Sequence, residues 1–165
     1  MILNIIGVVV ISTICALLVN YYMYARNLDK GNIIPFGESS ALLGVPVVAF
    51  NLGDYQINLL LDTGSDQSYI DESVIKDLHY EDYTQKHEES IFTGGGEIKS
   101  SGFITLKFAY KNVVLTETFI VNNIKDSFNK AFGNGITVHG ILGSKFFDTN
   151  NYVLDYKTMT AYKKR

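Results

Sequence analysis

The chain has 165 residues, of which 47% are hydrophobic, and it includes 11 Tyr and 10 Phe; this composition is that of a packed domain and excludes a disordered chain. The formal net charge of −3 and the pI of about 5.5 exclude the strongly basic character of most nucleic-acid-binding domains. The single cysteine, Cys15, excludes an intrachain disulfide and a thiolate zinc site.

The first 25 residues carry no charged side chain, and about 20 apolar helical residues are enough to cross a hydrocarbon core of roughly 30 Å. Tyr21, Tyr22 and Tyr24 stand at the end of this segment, where an aromatic belt would meet the membrane surface. We therefore predict a transmembrane anchor over residues 1–25. A signal peptide is the alternative, but the basic residues and the small-residue cleavage site that it requires are absent from this stretch.

The charges that flank the apolar segment give a weak indication of the side of the membrane on which the rest of the chain lies. Arg26 and Lys30 follow the apolar segment, with Asp29 between them, and no basic residue precedes it. The positive-inside rule then favours a cytoplasmic location for the rest of the chain. The expected location is thus a single-pass membrane protein with this weak preference in orientation.

The segment after the anchor is rich in turn-forming residues and is followed by short apolar runs. Residues 26–40 have the composition of a linker. Residues 42–50 and 55–62 are predicted to form a hairpin, because the turn sequence Asn-Leu-Gly-Asp joins them. Residues 71–78 begin with Asp and have apolar side chains at helical spacing, which predicts a short helix. Residues 80–90 are polar and are predicted to be a loop.

The second half of the chain is predicted to contain further strands. Residues 90–110 form two of them, with a run of glycines between or beside them, and residues 112–121 alternate as another strand. Residues 136–150 start as a strand and end as a short helix, and residues 151–164 form a last hairpin. Many short strands at close spacing indicate an all-β domain over residues 41–165, built as a small barrel or sandwich.

One motif carries chemistry. The strand predicted before residue 62 ends in Asp62-Thr63-Gly64-Ser65. The sequence Thr-Gly-Gly-Gly-Glu-Ile follows at 93–98, and Gly-Ile-Leu-Gly-Ser-Lys-Phe-Phe follows at 140–147. In this order, over residues 42–164, the three elements resemble those of the aspartic peptidases, and the single Asp-Thr-Gly resembles the retropepsin type, in which two identical chains each contribute one aspartate. The resemblance implies an acid-protease barrel with one short C-terminal helix, a peptide or protein substrate, a homodimer, and a reaction without metal or cofactor.

Asp62 is the catalytic residue that the resemblance implies. Two carboxyl groups about 3 Å apart cannot both ionise, so Asp62 and the partner's Asp62 would share a proton and titrate as a pair. One carboxylate would act as general base on a water molecule. The other would protonate or hydrogen-bond the scissile carbonyl.

Three neighbours of Asp62 have expected roles in its loop. Thr63, by resemblance, forms a hydrogen bond across the dimer axis. Gly64 is expected to allow a tight turn with unusual backbone angles and a close approach to the carboxyl groups. Ser65 is expected to donate a hydrogen bond to the outer oxygen of Asp62, with an ordinary turn serine as the alternative.

The remaining site residues are also implied by the resemblance. Asp66 is expected to contact substrate backbone, but the arginine that pairs with it in many relatives is replaced here by Ser144 and Lys145. An ammonium group cannot reproduce the bidentate geometry of a guanidinium. The glycines of the expected flap, a hairpin that closes over bound peptide, are Gly94, Gly95 and Gly96, with an ordinary glycine loop as the alternative. The residues expected to support the active-site loop are Gly140, Ile141, Leu142 and Gly143.

The other ionisable residues are interpreted as structural or solvated. His79, His87 and His139 lack the spacing of metal ligands. The charged runs predicted to lie on solvated faces are Asp71-Glu72, Glu88-Glu89 and Lys163-Lys164-Arg165.

The sequence therefore predicts a membrane-anchored, homodimeric aspartic endopeptidase. A non-catalytic peptide-binding or dimerisation module on the same fold is the first alternative, although Asp62, Thr63 and Gly64 are all intact. The second is a maturation or signalling protease that cuts a membrane neighbour or its own residues 26–40.

Overall fold

The computed structural model describes residues 2–29, 31–78, 89–93, 96–100, 102–124, 128 and 136–164. Its first element is helix α1 (Ile2–Asp29), 28 residues long. Between Val9 and Arg26 this helix is long and apolar enough to cross a membrane, and none of that stretch is buried inside the protein. A signal sequence has the same properties. The predicted apolar helix is confirmed, and its insertion into a membrane stays a prediction.

Short strands make up most of the remaining described chain. The strands are β1 (Ile33–Pro35), β2 (Val47–Leu52), β3 (Tyr55–Leu61), β4 (Tyr69–Asp71), β5 (Glu89–Thr93), β6 (Gly96–Ser100), β7 (Gly102–Tyr110), β8 (Val113–Asn122), β9 (Gly140–Leu142), β10 (Tyr152–Asp155) and β11 (Thr160–Lys163). The short helices are α2 (Gly37–Leu43), α3 (Glu72–Asp77) and α4 (Ser144–Asn150).

Six strands close into a barrel in the order β2-β3-β9-β4-β8-β7. The hairpins β2–β3 and β7–β8 are antiparallel. Strand β9 lies between β3 and β4, parallel to the first and antiparallel to the second. The predicted all-β barrel with one short C-terminal helix is confirmed, and α4 is that helix.

The barrel interior follows from the alternation of side chains along its strands. On β7, Ile104, Leu106 and Phe108 are buried and the residues between them are exposed. The centre is aromatic: the ring of Phe108 lies 5.3 Å from that of Phe50 and 5.8 Å from that of Phe119. Such pairs add packing energy to the hydrophobic burial that closes the barrel.

The interval 26–40, predicted as a linker, contains folded elements. The prediction is wrong for residues 26–29, which complete α1, and for residues 33–40. Strand β1 pairs with β11, with Ile33 opposite Tyr162, and the Phe36 N–H donates to the Met159 carbonyl (3.0 Å). Ile34 and Phe36 are each 2% exposed, and burying such a side chain contributes about 1.5–3 kcal/mol. The glycine, proline and serine content marks turns around this strand, and the two apolar side chains hold it in the fold. Exposure of the whole interval to self-cleavage is therefore no longer expected.

The other predicted elements agree with the structure. The hairpin over 42–62 is β2–β3, the helix over 71–78 is α3, and the hairpin over 151–164 is β10–β11. The loop predicted over 80–90 lies mostly outside the described residues. Its last two residues, Glu89 and Ser90, begin β5.

Candidate active site

Asp62 lies where the buried strand β3 leaves the barrel. The three leucines before it (59–61) are at most 8% exposed, whereas Asp62 itself is half-buried. Strand β9 runs beside them, with Ile141 and Leu142 next to the last two leucines, and the Asp62 N–H donates to the Leu142 carbonyl (3.0 Å). The core therefore brings a carboxylate to the surface on a main chain that is fixed to β9.

The Asp62 carboxylate is held by its own loop. The Gly64 N–H donates to Asp62 Oδ1 (2.9 Å), and the Ser65 N–H donates to the Asp62 carbonyl (3.2 Å). Gly64 lies in a turn, as predicted, and is not among the glycines with a positive φ, so a left-handed backbone is not the reason for glycine at this position. A Cβ at Gly64 would lie 3.1 Å from Asp62 Oδ1. This approach is tight, so a side chain at position 64 would require the Asp62 carboxylate to move slightly.

Ser65 makes a different contact from the one predicted. Its hydroxyl donates to the Gln67 carbonyl (2.9 Å), so that proton is not offered to Asp62. Its own carbonyl accepts the Ser144 N–H (2.7 Å). Ser65 is thus the turn serine of the alternative interpretation, and it closes the loop onto the start of α4. Thr63 is exposed, and its expected hydrogen bond to a second chain stays a prediction.

Lys145 is the partner of Asp66 in this structure. Its Nζ lies 3.7 Å from Asp66 Oδ2, with both side chains more than half exposed, and Gln67 Nε2 donates to the same oxygen (2.9 Å). An exposed pair at this distance contributes little, with a median of about 0–1 kcal/mol. The main chain adds a second link, because the Lys145 N–H donates to the Asp66 carbonyl (3.3 Å). Backbone hydrogen bonds, more than the ion pair, join the active-site loop to α4.

The glycine that begins β9 and the glycine that follows it leave no room for a side chain. A Cβ at Gly140 would lie 2.5 Å from the Tyr69 carbonyl oxygen. A Cβ at Gly143 would lie 2.9 Å from the Ser65 carbonyl oxygen and would collide with the Gln67 carbonyl. Real Cβ atoms do not approach backbone this closely, so both positions require glycine. Gly143 lies against the active-site loop and Gly140 against β3 and β4; their role in supporting the loop during catalysis stays a prediction.

Two buried polar residues of this region were missed by sequence reasoning. Ser68, 1% exposed, accepts the Gly143 N–H on its hydroxyl oxygen (3.1 Å). Asp71, 2% exposed, accepts the N–H groups of Ser73 and Ile124 (both 2.9 Å). The prediction that Asp71 is solvated is wrong: it caps α3 and ties β4 to the chain after β8. An aspartate just before a predicted helix indicates an N-terminal cap, so this role could have been predicted. No feature of the neighbouring sequence predicted that Asp71 is buried.

Glu117, on β8, is a half-buried carboxylate close to this loop. Burial raises the pKa of Glu117 above its ordinary value, and a hydrogen bond from the Ser68 side chain opposes that shift. A cavity of about 360 Å³ opens beside it and is also lined by Gln67, Phe103 and Lys145. The alternation of β8 was a signal that could have identified Glu117, because it shares its face with buried residues at 115 and 119.

The predicted flap is only partly described. Gly94 and Gly95 lie outside the described residues, and Gly96 begins β6, where it pairs with Thr93. Strands β5 and β6 form a separate two-stranded antiparallel sheet. A hairpin is present at the expected position, and its closure over a peptide stays a prediction.

The one described histidine has a structural role. The backbone N–H of Asn58 donates to Nδ1 of the His139 ring (3.0 Å), and the backbone N–H of His139 donates to the Asn58 carbonyl (2.8 Å). This agrees with the structural interpretation of the histidines. His79 and His87 lie outside the described residues.

Comparisons with known proteins agree with this fold. The structure is similar to a retropepsin-like aspartic protease from Rickettsia conorii (16% identity, TM-score 0.51, covering 78% of this chain and 95% of that one). It is also similar to the retroviral protease-like domain of Ddi1 from Leishmania major (11% identity, TM-score 0.50, covering 72% and 93%). A third match is EIAV protease in complex with the inhibitor HBY-793 (21% identity, TM-score 0.45, covering 64% and 86%). A comparison of the sequence with curated proteins finds no match.

The family model for aspartyl proteases matches residues 48–146. This interval includes the Asp62 loop, Gly140 and Gly143 at the two ends of the β9 segment, and the first turn of α4. The chain therefore belongs to the aspartyl protease family and has the retropepsin-like fold.

Proposed function

We propose that this protein is a membrane-anchored, homodimeric aspartic endopeptidase that uses Asp62. One observation carries the proposal: Asp62 is a partly exposed carboxylate at the end of a buried strand, in a loop that hydrogen bonds hold on both sides. The carboxylate is thus fixed in position and still accessible, as a catalytic aspartate must be. Family membership supplies the reaction class.

The chemistry requires a second chain. Each chain contributes one Asp62, and two carboxyl groups about 3 Å apart share one proton. The ionised member takes a proton from a water molecule, which attacks the peptide carbon, while the protonated member stabilises the carbonyl oxygen. The reaction then proceeds without a covalent intermediate. Thr63, exposed beside Asp62, is the residue we expect to join the two loops.

The substrate is an extended peptide that lies between the β5–β6 hairpin and the Asp62 loop. Such a peptide pairs with its binding site as an added strand, with main-chain hydrogen bonds for affinity and side-chain pockets for specificity. Asp66 and Gly96 are expected to contact its backbone. Because Asp66 also contacts Lys145 (3.7 Å) and Gln67 (2.9 Å), substrate must compete with these exposed neighbours.

Helix α1 anchors the enzyme in a bilayer. Its side chains from Val9 to Arg26 face outward, and Tyr21 and Tyr22 are 72% and 66% exposed. An apolar helix with no protein around it is stabilised in lipid and not in water. Confinement of two chains to one membrane raises their effective concentration and so favours the dimer.

The decisive test is Asp62→Asn in the full-length protein, purified in detergent. Asp54→Asn is the matched control, because Asp54 is exposed in the turn at the opposite end of β3. With a peptide library, wild type and Asp54→Asn should cleave, and Asp62→Asn should lose turnover by at least about 100-fold, with an unchanged circular dichroism spectrum. Cleavage by Asp62→Asn at the wild-type rate contradicts the assignment. Peptide binding by the wild type without any cleavage supports the alternative, a non-catalytic module.

The dimer is tested with the same protein. If the site needs two chains, specific activity should fall as the enzyme is diluted below its dimerisation constant. An activity per chain that is independent of dilution, down to concentrations where cross-linking finds only monomer, rules out a shared site.

A further inference from the structure

The barrel has two distinct ends, and Asp62 lies at one of them. Strand β3 is seven residues long, so Asp62 and the turn before Tyr55 are about 20 Å apart at 3.3 Å per residue. The single described pair between β2 and β7, Asn51 with Ala109, brings the β7–β8 turn to the end away from Asp62. We call this second end the distal end and define it by the turns at 53–54 and 111–112.

Helix α1 joins the barrel at the distal end. Only four chain steps separate Asp29, where α1 ends, from Ile33, where β1 begins, a reach of at most about 14 Å. Gly31, between them, is buried against the β7–β8 turn: a Cβ on it would lie 2.5 Å from the Tyr110 carbonyl oxygen and 3.3 Å from Val113 Cγ2. A bilayer that contains α1 would therefore lie next to the distal end.

Pairing of the last strand adds positive charge to the same end. Ile33 is opposite Tyr162, so the chain after Tyr162 extends toward α1. Lys163 pairs with Tyr152, and the Lys164 N–H donates to the Asn151 carbonyl (2.7 Å), which fixes the backbone under both lysines. Their side chains are exposed.

The distal end thus combines like charges with an exposed apolar side chain. Arg26, in the last turn of α1, is exposed, as are Lys163 and Lys164. Val114, next to Val113, is 68% exposed. Among the described residues of the turns at this end, Asp54 is an exposed acidic group. The balance of these charges is positive, and the pairing of β1 with β11 brings Lys163 and Lys164 toward the end of α1.

We propose that the distal end docks on anionic phospholipid headgroups of the bilayer that holds α1, with Lys163 and Lys164 on the lipid phosphates and Val114 among the headgroups. The inference rests on the proposed membrane anchoring. Because the link between α1 and β1 reaches at most about 14 Å, the anchor keeps these lysines close to the surface. Over one to two Debye lengths, each roughly 10 Å, salt screens their attraction to it only in part. Docking turns Asp62 to the aqueous side, about 20 Å from the distal end. In two chains docked in this way, the Asp62 loops lie at the same distance from the membrane surface. A dimer with its twofold axis along the membrane normal requires this arrangement.

The test uses the absence of tryptophan from the chain. Val114→Trp places one fluorophore at the distal end of the full-length protein. Leu42→Trp is the matched control, because Leu42 is 79% exposed on α2, which leads to the Asp62 end, where the Leu61 N–H donates to the Pro46 carbonyl. Both variants are reconstituted in nanodiscs of phosphatidylcholine with or without phosphatidylglycerol. Quenching by brominated lipid reports contact with the bilayer, and quenching by iodide reports contact with water.

With phosphatidylglycerol present, brominated lipid should quench the Val114→Trp variant several-fold more than the Leu42→Trp variant, and iodide should do the reverse. The difference should shrink in high salt and when Lys163→Glu and Lys164→Glu are added to both variants. Equal quenching of the two variants, in a protein that co-elutes with the nanodiscs, overturns the docking and leaves the anchor intact. Lipid quenching at position 114 that is unaffected by phosphatidylglycerol or by the charge reversal overturns the recognition of anionic lipid. Failure of either variant to enter nanodiscs overturns the anchoring itself.

Discussion

Gly143→Ala tests whether the contact between β9 and the active-site loop limits this fold. Gly143 has φ −84° and ψ 178°, angles that alanine adopts without strain. The whole effect must then come from the added methyl group. That carbon would lie 2.9 Å from the Ser65 carbonyl oxygen and 2.5 Å from the Gln67 carbonyl carbon. Both are backbone atoms of the loop that carries Asp62, so the loop or β9 must shift.

The size of the effect follows from the type of contact. Overpacking against a well-packed neighbour costs about 1–3 kcal/mol, and more where backbone has to move. For a domain of this size the melting temperature should fall by roughly 5–15 °C. The Gly143 N–H also donates to the buried Ser68 hydroxyl oxygen (3.1 Å), and a shift of the loop lengthens this bond. We therefore expect lower peptidase activity at temperatures well below the melting point.

Gly44→Ala is the matched control. Gly44 has φ +75°, and a Cβ added to it would have no neighbouring atom within 4 Å, so its substitution costs about 1–2 kcal/mol through backbone strain alone. Thermal unfolding by circular dichroism and peptide cleavage should be measured for both variants in the full-length protein. Both should lose stability, and only Gly143→Ala should lose activity. A Gly143→Ala protein with wild-type melting temperature and activity would refute the steric reasoning.

Two further substitutions test the buried carboxylate of Asp71 and the half-buried carboxylate of Glu117. Asp71→Ala leaves the N–H groups of Ser73 and Ile124 without this acceptor, which costs about 1–3 kcal/mol for each buried donor. The control is Glu72→Ala, which removes an ion pair with Lys76 worth about 0–1 kcal/mol. In denaturant unfolding, Asp71→Ala should lower the free energy of unfolding several times more than Glu72→Ala, and equal losses would contradict the argument from burial. Burial raises the folded-state pKa of Glu117 above 4.5, so its ionisation opposes folding as pH rises through that range. Glu117→Gln should therefore match wild type in stability below about pH 4 and exceed it at neutral pH. If the difference in free energy of unfolding between the two proteins is the same at both pH values, the reasoning is wrong.

Local patterns were enough to predict most of the elements. The charge-free run predicts α1, and an Asp before a helical period predicts α3. Short runs on either side of a turn predict the hairpins β2–β3 and β10–β11. These patterns work because each depends on residues only a few positions apart. The same locality explains the error at residues 33–40. A strand of three residues with a proline has a composition close to that of a linker, and only its pairing with β11 identifies it.

What the sequence by itself determined is a buried strand that ends in Asp62, the Gly64 beside it, and the glycines at 140 and 143. These are short motifs whose chemistry depends on residues that are adjacent in the sequence. The tertiary structure decided which groups hold that site. It inserted β9 between β3 and β4, and so brought Gly143 onto Ser68, 75 positions away, and Ile124 onto Asp71, 53 positions away. It also placed α1 and Lys163 at the end of the barrel opposite Asp62. A buried hydrogen-bonding group takes whatever partner the packing of the strands supplies, and that partner leaves no mark on the neighbouring sequence.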